Sequence, residues 1–191
     1  GKIVQLSSYN DFLIKNKHNF DWVAFFDVDE FLVLKQHKNI KDFLTEYDNP
    51  WGIAVNWVFF GSDGLKNRIP NCQNSLIKQF VKREKFADKH IKTILKLPSE
   101  SFMISPHNPN QILIDTQRRE IRGPFNFNGD ISVIQLNHYH HKTYEDWHIK
   151  CNRGFADGAK PRVLEHWTNA IKDYVELEDC EAFNFMYKKD F

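Results

Sequence analysis

Hydrophobic positions along this chain recur at two spacings, and the spacing changes at turn-forming residues. Tyr9, Phe12 and Leu13 share a helical face behind Ser7 or Ser8, which predicts a short helix over 8–17. The unbroken apolar run Trp22 to Phe26 predicts a buried strand. Asn39 can cap a helix carrying Ile40, Phe43, Leu44 and Tyr47 on one face, and Asn49-Pro50 breaks it. Gly52 to Phe60 reads as a strand closed by the turn Gly61-Ser-Asp-Gly64. The polar stretch 65–74 predicts a loop and Leu76 to Phe86 a helix. Ile91 to Leu97, Phe102 to Ser105 and Ile112 to Asp115 predict strands, with a Pro106–Pro109 turn among them and a loop over 118–129. Ile131 to Leu136 is β-like. Helices are expected over 144–155, ending near Gly154 or Gly158, and over 162–174 and 179–187. Alternating strands and helices make α/β the expected class, in a single domain spanning 1–191.

Two of these strand-like runs end in reactive side chains. The first gives way to Asp27, Val28, Asp29 and Glu30. In an extended chain Asp27 and Asp29 share a face, while Val28 and Glu30 take the other. Paired carboxylates at the carboxyl end of a core strand are a seat for a hard divalent cation, and open α/β sheets bind ligands at that end. Solvated turn acids are the plain alternative. The second run ends in His138-Tyr-His-His-Lys142, which collects imidazole and ammonium groups. A carboxylate pair with a distant His suits a metal, and a nearby Lys suits a phosphate. Here His138 leads as a ligand, with His140 and His141 expected at the surface.

Composition narrows the field. The chain has 191 residues, 41% hydrophobic and 15% aromatic, enough for a real core. A formal net charge of +1 gives no electrostatic case for nucleic acid, and the lysines between 78 and 96 read as a solvated surface. Cys72, Cys151 and Cys180 are widely spaced and odd in number, which argues against a disulfide framework or zinc site and favours a reducing, cytoplasmic setting. No apolar run is long enough to span a membrane. A peripheral membrane contact stays open.

With both clusters placed, the chain resembles the nucleotide-sugar glycosyltransferases of the GT-A fold, in particular family 92 and family-2-like enzymes. The resemblance rests on Trp22-Val-Ala-Phe-Phe-Asp-Val-Asp-Glu-Phe-Leu-Val-Leu34, Asn56-Trp-Val-Phe-Phe-Gly-Ser62 and Lys92-Thr-Ile94. It continues through His107, Asn137-His-Tyr-His-His-Lys-Thr143, Glu145, Lys150 and Arg153-Gly154, in order over most of 20–157. It implies a mixed, mainly parallel sheet flanked by helices. About twenty residues precede the acidic motif, fewer than the family's nucleotide-binding strands need, so those strands are expected to be missing from this sequence.

The resemblance also implies a metal-dependent transfer of a hexosyl or deoxyhexosyl group. The donor would be a nucleoside-diphosphate sugar, a UDP-sugar first, and the acceptor a hydroxyl, first of all on a glycan. Asp29 would ligate Mn²⁺ or Mg²⁺. Asp27 would hold the ribose, or the metal through water, and His138 would be a third ligand. Lys142 and Arg153 would face the diphosphate, with an acid-pairing role as the alternative for Arg153. An inverting enzyme needs a base for the acceptor hydroxyl, and Asp63 and Glu145 are the candidates. His107 is a candidate acceptor contact. Two rival functions stay open: a non-catalytic transferase-like module that binds sugar or a partner, and a metal-dependent phosphoesterase.

Overall fold

The computed structural model describes residues 2–47, 51–70, 75–98, 100–153, 163–173 and 177–187. The elements in order are α1 (Lys2–Asn16), β1 (Trp22–Ala24), β2 (Glu30–Leu34), α2 (Ile40–Glu46), β3 (Gly52–Phe59), α3 (Leu76–Gln79), β4 (Lys82–Arg83) and β5 (Ile91–Lys96). They continue with β6 (Leu113–Ile114), β7 (Glu120–Ile121), β8 (Ile134–His138), α4 (Tyr144–Arg153), α5 (Leu164–Asp173), β9 (Leu177–Glu178) and α6 (Glu181–Tyr187). The chain forms two compact units. The first holds Gly1–Val28, Leu34–Trp57 and Ala87–Leu136; the second holds Asp29–Val33, Val58–Phe86 and Asn137–Phe191.

The first unit is built on a mixed sheet in the order β1-β5-β3-β6-β7. Strand β5 runs antiparallel to both β1 and β3, β3 is parallel to β6, and β6 is antiparallel to β7. Leu13 of α1 is buried with Leu95, Leu97 and Met103, and Leu6, Tyr9, Val23 and Phe25 pack against them. The apolar stripe read from the sequence is therefore the face that α1 lays on the β1–β5 edge. Asn39 caps α2 as expected, its Oδ1 accepting the Asp42 N–H at 3.0 Å. At Gly52 the backbone has φ +148°, and a Cβ would stand 2.5 Å from the Ile94 carbonyl oxygen, so only glycine lets β3 lie so close to β5.

The second unit carries the two-stranded sheet β4-β9, with Lys82 opposite Glu178 and Arg83 opposite Leu177. Arg83 and Asp179 form a buried ion pair at 2.6 Å beside it. Strand β8 pairs with β2 and β3. In this unit Tyr139 N–H donates to the Asp29 carbonyl at 2.9 Å and Phe60 N–H to the His138 carbonyl at 3.1 Å. These bonds fix the backbone of both sequence clusters.

Several expectations need correction. The helix over 76–86 is one turn, α3; past Phe80 the chain extends, because the Asp63 carboxylate takes the N–H groups of Val81 and Lys82, and Lys82 pairs with Glu178. Phe102 to Ser105 is not a strand, since the Asn10 side chain accepts the Met103 N–H and donates to its carbonyl. The 118–129 loop contains β7, and β2 follows the acidic motif directly. Strand β1 ends at Ala24 and lies at the end of the sheet path, so Asp27 follows an edge strand, not a central one, and Asp29 stands in the turn after it. Val28 is 96% exposed and does not return to the core. The helix ends expected at Gly154 or Gly158, the Asn49-Pro50 break and Cys72 lie outside the described residues. No described helix is long and apolar enough to cross a membrane.

Candidate active site

The second unit gathers three side chains on one carboxylate. Asp29 lies in the turn that opens β2, and its carbonyl is tied to Tyr139 just past β8, which brings the His138 ring alongside. His138 Nε2 is 3.9 Å from Asp29 Oδ1. The other oxygen, Oδ2, meets Lys142 Nζ at 3.1 Å and Lys150 Nζ at 3.4 Å. Lys150 reaches back from α4 and also donates to the His140 carbonyl at 2.5 Å. Burial raises the Asp29 pKa, but Lys150, Lys142 and His138 together outweigh it and hold the carboxyl below its ordinary value. The residue is a buried anion ringed by cations.

Local packing sets this geometry. Phe59 stacks on the His138 ring at 5.1 Å. Lys142 takes the left-handed conformation at φ +57°, costly for a side chain with a Cβ, and its carbonyl accepts the Trp167 indole N–H at 3.2 Å. Thr143 starts α4: its hydroxyl donates to Asp146 Oδ2 at 2.7 Å and accepts the Asp146 N–H at 3.1 Å, a reciprocal cap that orients the helix bearing Lys150.

The first unit holds Asp27. Its Oδ2 pairs with Lys92 Nζ at 3.2 Å. Lys92 is only 1% exposed, on β5 opposite Val55, so the solvated reading of this basic stretch fails at its most important residue. Next to it His107 Nδ1 donates to the Ile91 carbonyl at 2.9 Å, and burial lowers the His107 pKa, with the nearby charges of Lys92 and His90 acting the same way. His107 is thus fixed by β5 as a neutral ring. Trp57 is buried beside it, with ring centroids 5.0 Å apart.

The remaining sequence candidates are placed differently. Both oxygens of Asp63 accept backbone N–H groups, from Val81 and Lys82, each at 3.1 Å. Burial raises its pKa against those two bonds. Glu145, exposed on the first turn of α4, accepts the Arg68 N–H at 3.2 Å. Arg153 is exposed in the last turn of α4. His141, expected at the surface, is buried, and burial pushes its pKa down to about 4. Lys150 escaped the reading of individual residues because nothing in a helix sequence shows which lysine turns toward a buried acid.

Among the described residues no group of three or more His, Cys, Asp or Glu could hold a metal ion by itself. The Asp29 and His138 donors nonetheless suit a cation that takes its remaining ligands from a substrate's phosphates, the usual arrangement for Mg²⁺. One carboxylate, one imidazole and two ammonium groups thus meet where β2 begins and β8 ends. The chain matches the glycosyltransferase family 92 model over residues 4–185, nearly its whole length. It belongs to glycosyltransferase family 92, whose members act on a sugar donor and an acceptor. No individual curated protein matches it significantly.

Proposed function

We propose that the chain is a metal-dependent transferase that moves a hexosyl or deoxyhexosyl group from a nucleoside-diphosphate sugar, a UDP-sugar first, to a hydroxyl of a glycan. The observation that supports this best is the Asp29 carboxylate, with His138 on one oxygen and Lys142 and Lys150 on the other.

Asp29 and His138 would hold Mn²⁺ or Mg²⁺, and Asp27, two residues earlier, would hold the ribose or the metal through water. When bound, the cation would supply Lewis-acid stabilisation of the charge that builds on the departing diphosphate. The two lysines neutralise Asp29 before substrate arrives. A diphosphate gives them a second anion, and Lys142 acts on it as a point charge. Lys150 stays anchored through the His140 carbonyl. Arg153, exposed at the end of the same helix, can add a further positive charge for the donor. Asp63 and Glu145 are the candidate bases for the acceptor hydroxyl, and each carboxylate also accepts backbone N–H groups, two for Asp63 and one for Glu145, that hold it in place.

The ion pairs on Asp29 also favour one second reading. Lysines that already neutralise the carboxylate suit a domain that binds a sugar nucleotide without turning it over. Thermal-shift titration with nucleoside diphosphates and nucleotide sugars, with and without Mn²⁺, followed by turnover assays on the hits, separates the two. Ligand binding to the folded state raises the melting temperature. Mn²⁺-dependent stabilisation with turnover supports the transferase, and stabilisation without turnover supports the binding module.

A further inference from the structure

Two indoles of the second unit tie down the segment that carries Lys142. Trp167 Nε1, on α5, donates to the Lys142 carbonyl, just ahead of α4, at 3.2 Å. Trp147 Nε1, on α4, donates to the Val163 carbonyl, just ahead of α5, at 3.1 Å. Each helix thus sends one indole N–H to the backbone that leads into the other. An indole is a donor only, and a buried one needs such an acceptor.

Both rings are buried, whereas Leu164, Glu165, His166 and Thr168 around Trp167 are exposed. Among its described side chains α5 buries Trp167 alone, so this ring is its anchor. The Trp147 ring lies against His140 and His141, with centroids 5.5 and 5.3 Å away, and Tyr144 meets Trp167 edge-on at 5.1 Å. Residues 140–144 are therefore packed by both indoles.

Lys142 needs such a hold. Its φ of +57° lies in the left-handed region, which disfavours any residue with a Cβ. Relaxation to an ordinary φ would turn the Cα–Cβ bond and carry the ammonium elsewhere. The two lysines on Asp29 are also held differently. Lys150 Nζ is fixed between the Asp29 carboxylate and the His140 carbonyl. Lys142 Nζ has Asp29 as its one partner among the described residues, and its side chain is 18% exposed. Lys142 is thus the ammonium that a ligand can draw away. Its backbone, and not a second bond to its head, decides where it reaches.

We propose that Trp147 and Trp167 are positioning residues that hold Lys142 in its left-handed conformation and so aim its ammonium at the donor's diphosphate. This rests on the transferase reading above, in which Lys142 turns from Asp29 to that diphosphate. The indole of Trp167 bonds the Lys142 carbonyl and leaves the side chain alone. The ammonium can therefore change partner while its backbone stays fixed. Such preorganisation raises affinity by removing a cost of ordering on binding.

The test is a pair of double-mutant cycles. UDP with Mn²⁺ is titrated by calorimetry into the chain, Trp167→Phe, Trp147→Phe, Lys142→Met, and each indole variant combined with Lys142→Met. Phenylalanine keeps an aromatic ring and removes the N–H. Each indole variant should lose roughly 3- to 10-fold in UDP affinity, the worth of one neutral hydrogen bond. With Lys142→Met already present, the further loss should stay within about twofold, because no ammonium is left to aim. A purely structural role would weaken both backgrounds alike. The indoles sit on different helices, so one variant folded by circular dichroism is enough. Equal losses in both backgrounds, or unchanged affinity in a folded indole variant or in Lys142→Met, overturn this inference. They overturn it alone if binding still needs Mn²⁺ and is lost in Asp29→Asn. Loss of the fold in both indole variants also overturns it, since the rings are then structural. Absence of UDP binding to the unsubstituted chain overturns the transferase reading as well.

Discussion

Asp29 and Lys142 are joined by an ion pair of 3.1 Å, made on the carboxylate oxygen that does not face His138. One carboxylate thus divides between an imidazole and an ammonium. If Lys142 turns to the donor's diphosphate, Lys142→Met should weaken nucleoside-diphosphate affinity roughly 10- to 100-fold, the worth of one charge-assisted bond. The fold should persist, because Lys150 still pairs with Asp29. Titration of UDP against both proteins in Mn²⁺ checks this.

The Asp27–Lys92 pair predicts an asymmetry between its two partners. Removing the carboxylate takes one counter-charge from a buried ammonium, so Asp27→Ala should cost about 1 kcal/mol or more. Lys92→Met leaves Asp27, whose side chain is 42% exposed, to water and should cost much less. Urea unfolding of both variants gives the comparison, and equal losses would contradict it.

His141 makes stability depend on pH. Its folded-state pKa is depressed by burial to about 4, against about 6.5 unfolded. The stabilisation of the neutral ring is complete above pH 6.5 and is lost as pH falls from there toward 4, since the unfolded chain takes up the proton first. The contribution lost is about 3 kcal/mol at most. His141→Gln should flatten this part of the melting temperature against pH curve, measured from about pH 7.5 to about pH 4.5.

Gly129 sits over the Asn56 amide, where a Cβ would come within 2.4 Å of Asn56 Cγ. That amide cannot swing away cheaply: its Nδ2 donates to the Asp88 and Asn126 carbonyls and its Oδ1 accepts from Asn126. Gly129→Ala should therefore destabilise by roughly 1–3 kcal/mol, the cost of overpacking a fixed site. Hydrogen exchange should show the loss first in the 88–90 backbone.

How much of this was legible in the sequence follows from the range of each cause. The α2 cap, the apolar stripe of α1 and the strands β3, β5 and β8 depend on neighbouring residues, and periodicity shows them. The end of α3 does not: Leu76 to Phe86 is helical by pattern, and distant partners, Asp63 and Glu178 among them, hold Val81 extended and Lys82–Arg83 in β4. Asp29 and His138 were visible as acids and imidazoles closing β-like runs, and the structure sets them 3.9 Å apart. The lysines that share Asp29, and the burial of Lys92, follow from long-range packing that no local pattern encodes.

The central claim is a donor site built on Asp29, and calorimetric titration of UDP into the chain and into Asp29→Asn, each with Mn²⁺ and with chelator, tests it most directly. The account predicts Mn²⁺-dependent binding to the chain and its loss in Asp29→Asn, with the variant still folded by circular dichroism. Equal affinity in the folded variant, or binding indifferent to Mn²⁺, would contradict it.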